Sequence, residues 1–452
     1  MADCLHRCAM YGDRERLTYA CQCSAARATI NTSSPKRNLI MTPIATAPMS
    51  SFHTTGTDAF TADDRKQLEA DVEAYCQELR PIEEICYLEH RFNPAIVDLA
   101  KKYNLLGMAV PKKYGGRGSD SVTYARALVR INREGSGPRT FFSGQTSIGQ
   151  YPVLRYGTED QKQRYLPRSC SGGCTMAFGL TEPDAGSNPL EGTTTYRREG
   201  DKFLLNGVKY LISNGTIADA IVLFAFPEGV TGAARRMTAF IVDTAGDTFE
   251  KEQLHAKPGL FTCDTAMFQM NDHPVRADNM LGKEGEGFRI SMHTLVSGRL
   301  SVASGCLGAI EDCLSECIDY CKTRKQHGKE IGKHQLVQDH LAKIEMARAA
   351  SEAMVIRAAL AKQASDDNPG DAELYGDADF KVAQAKFFAS NAAWEASDHA
   401  VQIFGGRGWS ELYRPFRHLQ DVRVCRIYEG TDEIMKMKIA GKLLGKDYDA
   451  FK

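Results

Sequence analysis

The stretch CRIYEGTDEI, residues 425–434, sets one carboxylate, Glu429, between a tyrosine and a glycine, just ahead of a renewed helical pattern. A glutamate on a tight bend is commonly solvated. Placed instead against a weakly acidic carbon, it can act as a general base. A second stretch, AFGLTEPDAGSN at 177–188, puts Thr181, Gly186 and Ser187 in a Gly/Pro/Asp loop after a β-rich run. Hydroxyls and open backbone N–H groups in such a loop suit phosphate oxygens, and they equally suit an ordinary turn. A third, RKQHGKEIGKHQLVQ at 324–338, offers the guanidinium fork of Arg324, whose shape matches a phosphate. Shortly before it, Cys313, Cys317 and Cys321 recur every fourth residue and share one helix face. Nothing in that pattern completes a four-ligand set, so they read as small core-facing side chains and no metal is expected.

A chain of 452 residues must position these groups, long enough for two or three domains. Lys and Arg total 56 against 57 Asp and Glu, so no overall field draws the protein to nucleic acid or to an anionic membrane. The longest apolar run, ADAIVLFAF, is strand-sized and far from the ~20 residues of a membrane helix. Fourteen cysteines without paired spacing suit free thiols in a reducing compartment. Residues 1–57 stand apart: Arg7, Arg14, Arg16, Arg27, Lys36 and Arg37 are set among Ser, Thr and Ala with few acids. That resembles an organelle transit peptide, with an uncleaved leader as the alternative.

From 58 to 173 the period is helical, as in TADDRKQLEADVEAYCQEL and SVTYARALVRINREG, with Thr61 and Ser121 as expected caps. From 174 to 284 short β-rich runs alternate with Gly, Asn, Asp and Pro signals, which predicts an antiparallel sheet domain. From 285 to 452 helical stretches return near 286–322, 334–365, 378–404 and 432–444, the third stopped by Gly405 and Gly406. Long helices with short joins predict a four-helix bundle. The fold class is therefore α+β: an N-terminal helical domain, a middle β domain and a C-terminal bundle.

The loop at 177–188, NGVKYLISNG, the stretch at 324–338, AVQIFGGRGW and IYEGTDEI resemble the acyl-CoA dehydrogenase family of flavoenzymes, in that order and across nearly all of residues 58–445. The resemblance implies FAD. It implies that Thr181, Gly186 and Ser187 contact the flavin pyrimidine and the acyl-CoA, and that Ser213, where the family has Thr, donates to flavin N5. Leu211 stands where the family has Trp and cannot stack on a ring as Trp does; His327 stands where Phe is typical. Arg324, Gln326 and Gln335 match adenine and pyrophosphate contacts. Gln402, Gly405 and Gly406 match residues that reach the neighbouring subunit's flavin, which implies a homotetramer. Thr431 and Glu433 are further expected cofactor contacts, and Tyr428 and Gly430 expected substrate contacts. Glu429 corresponds to the base that removes the α-proton of the thioester. A minority branch carries its base at the position of Gly298, and glycine cannot serve. The adjacent Arg299 is expected to support the site or the CoA, with a surface salt bridge as the alternative.

The resemblance thus implies desaturation of an acyl-CoA to a trans-2-enoyl-CoA, electrons passing to an electron-transfer flavoprotein, and placement in the mitochondrial matrix. In SGPRTFFSGQTS, Arg139 and Ser143 are in register with the pair that holds the distal carboxylate in glutaryl-CoA dehydrogenases. A dicarboxyl substrate therefore stays open beside short, medium or branched chains. Two other classes also stay open: a flavin oxidase or monooxygenase on the same fold, told apart by oxygen consumption, and a flavin-free binding protein, told apart by a colourless preparation.

Overall fold

A computed structural model describes residues 59–448, so the leader reading for residues 1–57 lies outside the described residues. Helix α1, Ala62–Leu88, begins where Thr61 Oγ1 accepts the Asp64 N–H at 3.1 Å and Asp64 Oδ2 accepts the Thr61 N–H at 2.8 Å, a reciprocal cap. Its Leu68, Val72, Tyr75, Cys76 and Leu79 follow three-and-four spacing and are buried against α2, Ala95–Lys102, and α3, Ser121–Asn132. The cap of α3 is Asp120, which accepts the Thr123 N–H at 2.7 Å; the expected cap, Ser121, is already the first helical residue. A carboxylate there also complements the positive end of the helix dipole, which a serine does not. Helix α4, Ser136–Phe142, runs directly into a π-helical segment, Ser143–Gln150, then α5, Tyr151–Tyr156, and α6, Glu159–Ser171.

The middle region is an eight-stranded sheet in which β4, Ala220–Pro227, is buried along its length to Phe226 because both of its faces are covered. Most pairs are antiparallel, as expected: β3, Lys202–Ser213, with β7, Thr265–Arg276, and β4 with β5, Thr238–Asp243. Two pairs are not. Strand β1, Met176–Gly179, runs parallel to the first half of β4, and β2, Thr195–Glu199, parallel to its end. Both therefore lie along one line beside β4, and residues 180–194 are an excursion from that line. The expected wholly antiparallel sheet is corrected on this point. Strand β6, Phe249–Gln253, pairs β7, and β8, Met280–Leu281, pairs β5.

Helix α7, Gly287–Thr323, is 37 residues long, roughly 55 Å at 1.5 Å per residue. A hairpin follows, β9 (Lys325–Gln326) and β10 (Lys329–Glu330), whose turn residues His327 and Gly328 both have positive φ, 51° and 76°. Helices α8, Gln335–Asp367, α9, Ala372–Phe404, and α11, Asp432–Leu444, complete the bundle. Between α9 and α11 lies α10, Arg414–Val422, which periodicity did not reveal. Cys313, Cys317 and Cys321 face the bundle core, none more than 3% exposed. Among the described residues no helix is long and apolar enough to cross a membrane.

Candidate active site

After α10 the chain makes one 3₁₀ turn, Arg423–Arg426, and then bends sharply: Glu429 has φ +58° and Gly430 φ +100°. Glycine takes this conformation freely, whereas a left-handed non-glycine residue costs on the order of 1–3 kcal/mol and persists only where its surroundings impose it. The surroundings here are two buried cations. Arg299 Nε donates to the Glu429 carbonyl at 2.8 Å and Lys386 Nζ to the Gly430 carbonyl at 2.6 Å. Thr431 then caps α11 by accepting the Ile434 N–H at 3.3 Å. Arg299, 2% exposed, also faces Asp379 at 3.4 Å, so the alternative of a surface salt bridge is corrected to a buried one.

The bend lays the Glu429 side chain on α7 at Gly298, where any Cβ would overlap both carboxylate oxygens. Glu429 and Gly298, the two positions that the resemblance singles out for a base, therefore meet at one spot. Glu429 Oε2 is buried without a hydrogen-bond partner, and burial pushes the carboxyl pKa up to about 7, against the opposing fields of Arg299, Arg139 and Lys386. Among the described residues the Glu429 N–H meets no acceptor.

Arg139, on α4, is 1% exposed and donates to the Tyr428 hydroxyl and, at 3.4 Å, to Asn132. It has no carboxylate partner among the described residues, unusual for a buried guanidinium. Four residues on, Ser143 opens the π-helical segment, its Oγ buried and unpartnered. The same stretch reaches the middle sheet. Asn214 Nδ2 donates to the Phe141 carbonyl at 3.0 Å, and Gly144 leaves room for the Asn214 side chain. The end of β3 is thereby held beside α4.

At that end Leu211 has φ +59° within a register shift of β3 against β7, and its side chain is 56% exposed. Such a bulge re-aims a side chain out of the sheet's alternation. Thr181 and Ser213 are half-buried, and the Tyr210 N–H donates to the Thr181 carbonyl at 2.9 Å, tying the 180–194 excursion to β3. Beneath it Lys209 pairs with Glu182 at 2.8 Å, both buried, and Glu182 also accepts the N–H groups of Thr193 and Thr194. Gly186 and Ser187 are exposed, with open space beside Gly186. An exposed apolar side chain flanked by two hydroxyl residues fits a flat, hydrogen-bonding ring such as isoalloxazine, though Leu211 offers dispersion contact and no aromatic stacking.

A second group lies elsewhere. Arg324 ends α7, Gln335 opens α8, and Gln402, Gly405 and Gly406 close α9. Tyr320 stacks on Phe404 with ring centroids 4.1 Å apart, so these ends sit together. Gln326 and Gln335 are exposed and nothing lies within 4 Å of a Cβ at Gly405 or Gly406. Gly298 and Arg324 are 26 positions apart on α7, roughly 39 Å at 1.5 Å per residue. One chain therefore does not bring this group to Glu429. Glu433 is exposed on the first turn of α11.

Sequence reasoning missed Lys386. It is fully buried in an Ala-rich helix face, and its acceptor is a backbone carbonyl 44 residues away, so neither spacing nor charge pattern marks it.

Three family models match in order: acyl-CoA dehydrogenase N-terminal domain over residues 62–173, middle domain over 177–273 and C-terminal domain over 285–444. An acyl-CoA dehydrogenase of Bacillus subtilis is 36% identical over 82% of this chain and 94% of its own. The CarC subunit of the caffeyl-CoA reductase-Etf complex of Acetobacterium woodii is 35% identical over 78% of this chain and 91% of its own. The structure of a glutaryl-coenzyme A dehydrogenase in complex with glutaryl-CoA superposes with TM-score 0.79 at 29% identity, over 86% of this chain and 97% of that one. The mitochondrial expectation is corrected: similar enzymes come from bacteria, which have no mitochondria, so the basic leader carries no such assignment. The chain belongs to the acyl-CoA dehydrogenase family of FAD-dependent oxidoreductases.

Proposed function

We propose that Glu429 is the base of this chain's acyl-CoA desaturation, removing the α-proton of a bound thioester as the trans-2-enoyl-CoA forms. The observation that carries the reading is the Glu429 carboxylate itself, laid on Gly298 with one buried oxygen free of any partner. A carboxyl pKa near 7 leaves it ionised at working pH yet basic enough to take a proton. The α-hydrogen of a thioester is a weak acid, so the developing enolate needs donors at its oxygen. The Glu429 N–H, with no acceptor among the described residues, supplies one. The bound FAD would supply the acceptor for the hydride that leaves the β-carbon. Thr181, Leu211 and Ser213 would hold the ring, and Gly186 and Ser187 leave the approach to it open. In stopped-flow mixing with an acyl-CoA panel without oxygen, Glu429→Gln should stay yellow and bind acyl-CoA while flavin reduction falls by roughly 10³-fold. Reduction at the native rate would remove the assignment.

The electron acceptor in this reading is an electron-transfer flavoprotein, consistent with a relative that is a subunit of an Etf complex. Rapid oxygen consumption with acyl-CoA would indicate an oxidase instead. The assembly is a homotetramer. Its support is the separation of Glu429 from the Arg324 and Gln402 group, which calls for a second copy to complete each cofactor site. An apolar groove of about 660 Å³ between α8 and α9, lined by Met346, Phe387 and Phe388, is the matching contact surface.

A second reading of the substrate rests on Arg139 and Ser143. A buried guanidinium without a carboxylate, beside an unpartnered hydroxyl and close to the base, suits an acyl group ending in a carboxylate. Arg139→Ala should then slow reduction by glutaryl-CoA and spare butyryl-CoA, with carbon dioxide release lost in step. Equal losses on both substrates exclude the dicarboxyl reading.

A further inference from the structure

Lys386 has no exposed surface, lies among alanines on α9, and makes no ion pair among the described residues. Among those residues its ammonium donates to the neutral Gly430 carbonyl. Burying an ammonium against a neutral acceptor is an expensive way to hold a loop, because the lost hydration is only partly replaced; a glutamine amide would make the same bond without a charge. The charge matters for what lies one residue away. Glu429 faces Lys386 from α9, Arg299 from α7 and Arg139 from α4. Lys386 in turn faces Asp432 of α11, Arg299 and Cys306 of α7, and Cys425 of the 3₁₀ turn before the bend.

We propose that Lys386 is a positioning residue for Glu429: its ammonium anchors the Gly430 carbonyl so that the left-handed bend keeps the carboxylate on Gly298, and its field favours the proton-accepting form. This rests on Glu429 being the base. Arg299 and Lys386 take consecutive carbonyls, so the strained bend is gripped at two successive peptide oxygens. Neither cation bonds the carboxylate, which stays free to receive a proton.

The two parts of the role separate by substitution in the FAD-loaded enzyme. Lys386→Met fills the space but removes bond and charge; Lys386→Gln keeps a donor and removes only the charge. With saturating acyl-CoA, Lys386→Met should lower the high-pH plateau of flavin reduction at least tenfold, as misalignment of a reacting group does. The midpoint of its pH profile should move upward, because the carboxylate has lost a cation. Lys386→Gln should recover the plateau to within about threefold and keep the raised midpoint. Enoyl-CoA affinity and the flavin spectrum should stay native in both. Native midpoints in both variants overturn the proposal, as does a lowered plateau in both with no change of midpoint, the signature of a merely structural lysine. Glu429→Gln run alongside separates the two ideas. Full activity there removes the base, whereas an inactive Glu429→Gln beside native-like Lys386 variants removes only the lysine's role.

Discussion

Two buried carboxylates on or against α7 have opposite fates. Asp312 is 2% exposed and accepts from Arg414 at 2.7 Å, His418 at 2.8 Å and Arg80 at 3.3 Å. Although burial works against it, these donors hold its pKa well below the usual carboxylate range. Glu429 is also ringed by cations, yet none of them bonds its carboxylate, and its pKa rises to about 7. The difference is contact: at Asp312 the field of Arg414, followed by donation from His418, outweighs burial and fixes the anion, while at Glu429 burial outweighs three cations whose donors are turned elsewhere, and the carboxylate is left able to exchange a proton. The first arrangement ties α1, α7 and α10 together; the second reserves a carboxylate for chemistry.

The contrast can be broken by substitution. Its largest consequence is the roughly 10³-fold loss of reductive rate in Glu429→Gln, a change that leaves the fold intact. Asp312→Asn should do the reverse, leaving buried Arg414 short of a counter-charge at a cost of about 3–5 kcal/mol. Urea denaturation should show that loss while activity per folded molecule is retained. Gly298→Ala comes next: the added methyl displaces only the end of a flexible side chain, so stability should hold while the reduction rate falls roughly 10²-fold.

The pH profiles sharpen the same contrast. Reductive rate should climb about tenfold per pH unit up to about pH 7 and then level off as Glu429 ionises. For stability the signs oppose. Asp312, with its folded pKa depressed, contributes stability at neutral pH that is lost as the solution is acidified below its unfolded value of 3.8. Glu429, with its folded pKa raised from 4.5 to about 7, penalises folding above pH 7 and not below 4.5. Glu429→Gln should therefore melt slightly above the native protein at pH 8, and the difference should vanish near pH 4.5.

Much of this was legible in sequence because it depends on local pattern. The period change from three-and-four spacing to short β runs and back located the helices, the sheet and the bundle. Glu429 was legible only through the resemblance of IYEGTDEI to the family's motif, because a glutamate on a tight bend is by itself commonly solvated. What stayed hidden depends on distant partners. RPFRHLQDV looks like a solvated segment, yet Arg414, Arg417 and His418 are buried because counter-charges arrive from α1 and α7, and Asp421 because the Tyr87 hydroxyl and the Leu260 N–H donate to it. FEKEQ carries too few β-formers to announce β6, which exists because β7 offers it an edge. The burial of Arg139 stayed hidden for the same reason. Its burial is decided by Tyr428, 289 residues further on.

Since β1 and β2 lie end to end along β4, residues 180–194 start and finish beside neighbouring parts of a single strand. Their length is consequently decoupled from the pairing around them, and residues can be added or removed at the tip without shifting any ladder. Evolution or an engineer can revise what this segment touches while the scaffold underneath stays as it is.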